Sequence, residues 1–180
     1  MFNYEDMVAT SDKAFALMDK QGDVHNLRLS SRATIKQEKS IIKGDDIRYS
    51  KLRGDIIVSG NTLSDVTFEN GDRVIINARV QQYDQKGSTM MATGSVHVLY
   101  GDYIADGPKA IMHINSKTNK PEKIIFIGRS KIVEKGANSV EADKITLTMQ
   151  PRTFEAVGNV KTNIEKNTTN DDDDKMEFSL

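Results

Sequence analysis

The sequence predicts an all-β fold, an antiparallel array of about five two-strand repeats, on three observations: a recurring glycine, period-2 alternation around it, and regularly spaced turn formers. Gly60, Gly94, Gly128 and Gly158 stand 34, 34 and 30 residues apart in similar settings: Val58-Ser59-Gly60-Asn61, Ala92-Thr93-Gly94-Ser95, Phe126-Ile127-Gly128-Arg129 and Ala156-Val157-Gly158-Asn159. Ser31, 29 residues before Gly60, holds the glycine's place in a weaker first copy. A second motif interleaves with the first: Ser11-Asp12-Lys13, Gly44-Asp45-Asp46, Ala78-Arg79-Val80, Ala105-Asp106-Gly107 and Ala142-Asp143-Lys144. A glycine inside a strand marks a bulge, a bend or a close backbone approach, so this row predicts corners at which the sheet folds over.

Taken in order, residues 1–22 admit two readings. Ser11 can cap a helix through Phe15, Leu17 and Met18 to Gly22, or the stretch can be the first repeat as strand-turn-strand. The second is preferred, with room for a short helix over residues 4–9. In the next unit Ile47 and Tyr49 share one face, as do Ile56 and Val58. Around Gly94 the same parity selects Met90, Ala92, Val96 and Val98; the strand after Ala105-Asp106 contributes Ala110, Met112 and Ile114. Ile124, Phe126 and Ile132 follow, then Ile145, Leu147 and Met149, and finally Phe154, Ala156 and Val160. Turn formers separate the segments at residues 69–72, 85–88, 115–121 and 135–138. Departures from the pattern put the local register in question: Arg79 where its sisters carry Asp, and Gly107-Pro108 inserted after Asp106. Residues 1–165 form the expected domain. Residues 166–180 break the pattern, and their Asp171-Asp172-Asp173-Asp174-Lys175 reads as a disordered acidic tail or an engineered protease-site scar.

Composition narrows the function. The chain has 180 residues, 25 Lys+Arg against 26 Asp+Glu, and no cysteine, so thiol chemistry and disulfides are excluded and nucleic acid is a poor match for its charge. The run Ile124-Ile125-Phe126-Ile127 is far short of the ~18 apolar residues of a membrane span. No signal-peptide pattern opens the chain, which fits a cytosolic protein or a signal peptide replaced by Met1. His25, His97 and His113 are dispersed without metal-ligand spacing, and Asp12, Asp45, Asp106 and Asp143 lack the dense glycine nonapeptide of a calcium array. No nucleophile elbow, P-loop or dinucleotide fingerprint occurs. The expectation is therefore a protein without catalytic residues, metal or cofactor. What remains is the apolar face itself, Ile47, Tyr49, Ile56, Val58, Met90, Ala92, Val96, Met112, Ile114, Ile124, Phe126, Ile145, Leu147, Phe154 and Val160: either a dry core or the lining of a slot for acyl chains, for which flexible methionines are suited.

The motifs Ser11-Asp12-Lys13-Ala14, Gly44-Asp45-Asp46-Ile47-Arg48-Tyr49, Glu141-Ala142-Asp143-Lys144-Ile145 and Ala156-Val157-Gly158-Asn159-Val160 resemble the repeats of the OstA-like (LptA-like) family of periplasmic lipopolysaccharide-transport bridge proteins, over residues 11–161. The resemblance implies a β-jelly roll folded like a taco, with a hydrophobic groove that shelters the acyl chains of lipopolysaccharide (lipid A). It implies periplasmic location, head-to-tail self-association, and partners in an inner-membrane-anchored bridge component and an outer-membrane translocon. Arg28, Arg32, Lys36, Arg48, Lys51 and Arg53 are then candidates to meet lipid phosphates. The alternative from another class is a scaffolding β-repeat protein with a dry core and no lipid ligand; a glycan-active enzyme is disfavoured by the absence of clustered carboxylates.

Overall fold

The computed structural model describes residues 2–4, 7–68, 71–118, 120–134 and 138–164. Among the described residues thirteen strands form one antiparallel sheet. They are β1 (Phe2–Tyr4), β2 (Met7–Thr10), β3 (Lys13–Met18), β4 (Val24–Gln37), β5 (Ser40–Ser50), β6 (Asp55–Thr67) and β7 (Arg73–Asp84), followed by β8 (Thr89–Tyr100), β9 (Tyr103–Ile114), β10 (Pro121–Glu134), β11 (Ser139–Met149), β12 (Arg152–Val157) and β13 (Lys161–Asn163). From β4 to β12 each strand pairs with the next; β2 and β3 both pair with β4, and β12 and β13 both pair with β11.

The long strands are bent, and the bend is where the motifs lie. Register shifts fall at Ser30/Ala33, Lys43/Asp46, Ser59/Thr62, Asn77/Val80, Thr93/Val96 and Ile127/Ser130. Gly60, Gly94, Gly128 and Gly158 have φ of 76°, 80°, 88° and 82°, the left-handed region that glycine enters without cost. Ser31 keeps that conformation at φ 63° although it is not glycine, so the first corner survives its departure from the pattern. The two motifs meet across neighbouring strands: Asp45 lies over Gly60, Arg79 over Gly94, Pro108 over Gly128 and Asp143 over Gly158, each occupying the space a Cβ would need. Arg79 and the Gly107-Pro108 insertion thus fill the same place as the aspartates, and the register is kept.

Each corner divides its strand into two halves. Half-sheet I carries β2, β13 and the portions that include Ile35, Ile76, Val98 and Ile132; half-sheet II carries β3, β12 and the portions that include Leu29, Ile47, Phe126 and Ile145. Alternate residues in both halves are buried, Leu27, Leu29, Ala33 and Ile35 on β4 alone, so the two inner faces close on each other. Counting β2 with β3 and β12 with β13 as single bent strands, β2 to β13 make ten bent strands, which is five two-strand units. One apolar cluster fills the first units (Leu29, Ile47, Val58) and a larger one the rest (Val98, Met112, Phe126, Leu147).

The helix anticipated over residues 4–9 is not formed. β1 ends at Tyr4, β2 starts at Met7, and Ala9, paired with Ile35, is 1% exposed. Six residues are too few to support helix nucleation against a ready strand edge. Residues 13–18 are strand rather than helix, as the repeat reading requires. The acidic tail, 166–180, and the turn residues 69–70, 119 and 135–137 lie outside the described residues.

Candidate functional site

The interior between the half-sheets gathers the apolar residues selected by parity. Ile47, Val58, Met90, Ala92, Val96, Met112, Ile124, Phe126, Ile145, Leu147 and Phe154 are all buried, and Tyr49, Ile56 and Ile114 pack against them from less covered positions. Val160 does not join them, being 41% exposed. It stands two residues after its glycine, as do the buried Thr62, Val96 and Ser130, so its parity is the inward one. The cover is missing because β13 is three residues long and pairs only with β11.

Most of the side chains that face this interior are buried. A small cavity of about 20 Å³ lies under Tyr103, Ile132, Asn138, Val140 and Phe154, room for a single water. Asn138 Oδ1, buried and without a partner among the described residues, is the acceptor such a water would serve.

Two sets of contacts tie one half-sheet to the other. At the mouth, Arg152 of β12 in half-sheet II reaches the turn of β8 and β9 in half-sheet I, with its guanidinium 5.7 Å from the Tyr103 ring centroid. Tyr100 donates to Asp72 at 3.3 Å and Tyr103 to Glu134 at 3.4 Å; burial, then the nearby carboxylates, push both phenols up from their ordinary value. Deeper, Thr62, Ser64, Gln81 and Tyr83 form a buried hydrogen-bonded group, and burial raises the Tyr83 phenol well above its usual range, so it stays neutral. Sequence reasoning missed these four. Their signal was available, since Thr62 stands at the offset from Gly60 that Val96 has from Gly94, which is an inward position.

The basic residues expected at lipid phosphates are mostly engaged with aspartates. Arg28 and Arg48 both hold Asp46, at 2.8 and 2.7 Å; Arg32 pairs with Asp12, Lys51 with Asp23 and Arg53 with Asp55. Lys36 is exposed. Partial burial alone would raise the Asp46 carboxyl, but hydrogen bonds from Arg28, Arg48 and Ser30 outweigh it and hold the group below its ordinary 3.8. A carboxyl lowered in the folded state stabilises fully above that ordinary value and loses its contribution as pH falls through the folded pKa. Asp46→Asn should therefore flatten the acid limb of the stability curve below about pH 4, measured by urea unfolding at a series of pH values. An unchanged limb would show that the Arg28–Asp46–Arg48 cluster contributes nothing.

His25 and His97 each face one carboxylate, Asp19 at 3.2 Å and Asp106 at 2.7 Å. Among the described residues no three metal-ligating side chains come together.

No curated protein sequence matches the chain. The crystal structure of LptH from Pseudomonas aeruginosa, described as the LptA homologous periplasmic component of the conserved lipopolysaccharide transport device, aligns over 89% of this chain and 95% of that chain, at 13% identity and a TM-score of 0.43. A family profile described as "LptA/(LptD N-terminal domain) LPS transport protein" matches residues 75–176, more than half of the sequence and the whole of the larger apolar cluster from Ile76 onward. The repeat corners, the folded sheet and this match agree, and the chain belongs to the LptA/LptD N-terminal family of lipopolysaccharide-transport proteins.

Proposed function

We propose that this protein is a periplasmic lipopolysaccharide carrier, which shelters lipid A acyl chains between its half-sheets and stacks end to end with copies of itself and with membrane-bound partners of the same transport system. The observation that carries the reading is the apolar interior shared by all five units in a member of a lipopolysaccharide-transport family. Each acyl CH₂ taken from water is worth ~0.8 kcal/mol, so a continuous apolar path removes most of the barrier to crossing an aqueous space. Loading requires the closed halves to part at the mouth, where the exposed Arg152 side chain lies over the buried Tyr103 ring.

The burial of the interior side chains favours one competing reading, a dry-cored scaffold. Photo-crosslinking side chains at Met112 and Phe126 separate the two: the carrier should give adducts with added lipopolysaccharide at both sites and none at the outward Lys109. Labelling at Lys109 alone would leave only the scaffold.

Stacking is supported by strand direction. β2 and β3 run from half-sheet I to II, whereas β12 and β13 run from II to I, so a second copy placed beside β12 continues the antiparallel order without a break. β1 covers the outer edge of β2, and among the described residues the outer edges of β3 and β12 have no strand beside them. Apolar side chains accompany both edges, Phe15 and Leu17 at 66% and 51% exposure on β3, Val157 at 51% on β12. Leu17→Lys with Val157→Lys should abolish concentration-dependent growth in mass in sedimentation equilibrium, while leaving the melting temperature of the monomer within about 2 °C. Persistence of oligomers in the double variant would mean that these edges are not the contact.

A further inference from the structure

The apolar interior holds one hydrogen-bonded polar group on β6 and β7, at positions that are apolar on β8 and β11. Counted from the corners, Thr62 and Ser64 on β6 occupy the places of Val96 and Val98 on β8, and Gln81 on β7 occupies the place of Ile145 on β11. Three apolar positions are thus exchanged together for mutually complementary polar ones. Gln81 and Ser64 have no exposed surface and Thr62 has 2%.

The group joins the two halves of the neighbouring strands β6 and β7 beside their corner. Gln81, in half-sheet II, donates through Nε2 to Thr62 Oγ1 at 2.7 Å and to the Ile76 carbonyl at 3.0 Å, both in half-sheet I. Its Oε1 accepts from Ser64 at 2.6 Å and from Tyr83 at 3.0 Å. The Thr62 hydroxyl donates to the Ala78 carbonyl at 2.8 Å, and the Ser64 and Tyr83 hydroxyls also touch. The side-chain amide is fully satisfied, and Tyr83 packs against both apolar clusters, so the group stands at the boundary between them.

We propose that this group is a specificity station within the acyl slot, selecting chains that carry a hydroxyl; it rests on the carrier reading above. A chain lying along the interior has to separate Gln81 from Thr62 and Ser64. A plain hydrocarbon then leaves an amide donor and acceptor buried and unpaired. A chain hydroxyl, which both donates and accepts, replaces the broken bonds on each side. The same logic makes any site that hydrogen-bonds a hydroxyl reject the analogue lacking it.

The test compares dodecanoic acid and 3-hydroxydodecanoic acid, each below its micellar concentration, by isothermal titration calorimetry on the full chain. The wild type should prefer the hydroxy acid by about tenfold. The variant Thr62→Val/Ser64→Val/Gln81→Ile, which installs the residues of the sister units, should bind the plain acid more tightly than the wild type does and lose the preference. Should that variant fail to fold, Thr62→Val and Tyr83→Phe singly should each reduce the preference severalfold. A wild type that binds both acids equally, or a variant that keeps the wild-type ratio, overturns the station while leaving the slot intact; the group is then a register lock of the repeat array. A wild type that binds neither acid removes the slot, and the station with it.

Discussion

Phe126→Ala should lower stability by roughly 3–5 kcal/mol, about 10 °C or more in melting temperature for a domain of this size. Phe126 is 1% exposed and sits in β10 between Ala110 of β9 and Ile145 of β11. Its neighbour on one side is small, so the ring itself fills the space between the half-sheets at that level. The backbone on both sides is held in continuous ladders, which prevents the site from collapsing onto the void. Phe15→Ala is the contrast, since Phe15 is 66% exposed and its loss should change stability by no more than about 0.5 kcal/mol. The same variant also separates the two functional readings. A ligand that binds the native state raises stability by mass action, and an acyl chain entering the slot would fill the space left by the ring. Thermal melts with lipopolysaccharide should then show a larger upward shift for Phe126→Ala than for the wild type. A dry-cored scaffold would show the same loss with no recovery.

Much of this architecture is legible in the sequence because it is written five times. One Gly in a strand is ambiguous, but Gly60, Gly94, Gly128 and Gly158 share a spacing and a setting, and all four lie at corners with positive φ. Period-2 parity then assigns inside and outside on each flank, and it places Phe126, Met112 and Leu147 correctly within the interior. What parity cannot supply is the neighbour across the sheet. Val160 has inward parity yet lacks cover at the last edge. Arg28 and Arg48 look like free cations along the chain, but strand pairing brings both to Asp46. The polar group at Gln81 was hidden for the converse reason, because polar residues read as outward until the corner offset puts Thr62, Ser64 and Gln81 inside. Residues 7–9 are too short for periodicity to distinguish strand from helix, and the pairing of Ala9 with Ile35 decides.

The corners themselves yield the sharpest test, because two glycines with nearly equal backbone geometry should respond unequally. Gly60 and Gly94 have φ of 76° and 80°, so an added Cβ costs both roughly 1–2 kcal/mol from the left-handed conformation alone. Their neighbours differ. At Gly60 the new Cβ would overlap the Asp45 carboxylate and come within 2.8 Å of Asp45 Cβ, an atom fixed by the backbone of the adjoining corner. At Gly94 it would meet Arg79 Cβ, Cγ and Cδ, each at 3.0 Å, so nothing is overlapped and a shift of a few tenths of an ångström relieves the contact. Gly60→Ala should therefore cost roughly 2–4 kcal/mol and Gly94→Ala roughly 1–2 kcal/mol. Asp45→Gly removes the obstructing atoms, so a double-mutant cycle should return a coupling of about 1 kcal/mol or more for Gly60 with Asp45, and close to zero for Gly60 with Arg79. Equal losses at the two glycines would mean that the interleaved motifs are only turn chemistry. The unequal result would show that the aspartate of one strand is held over the glycine of the next to set the angle between the half-sheets.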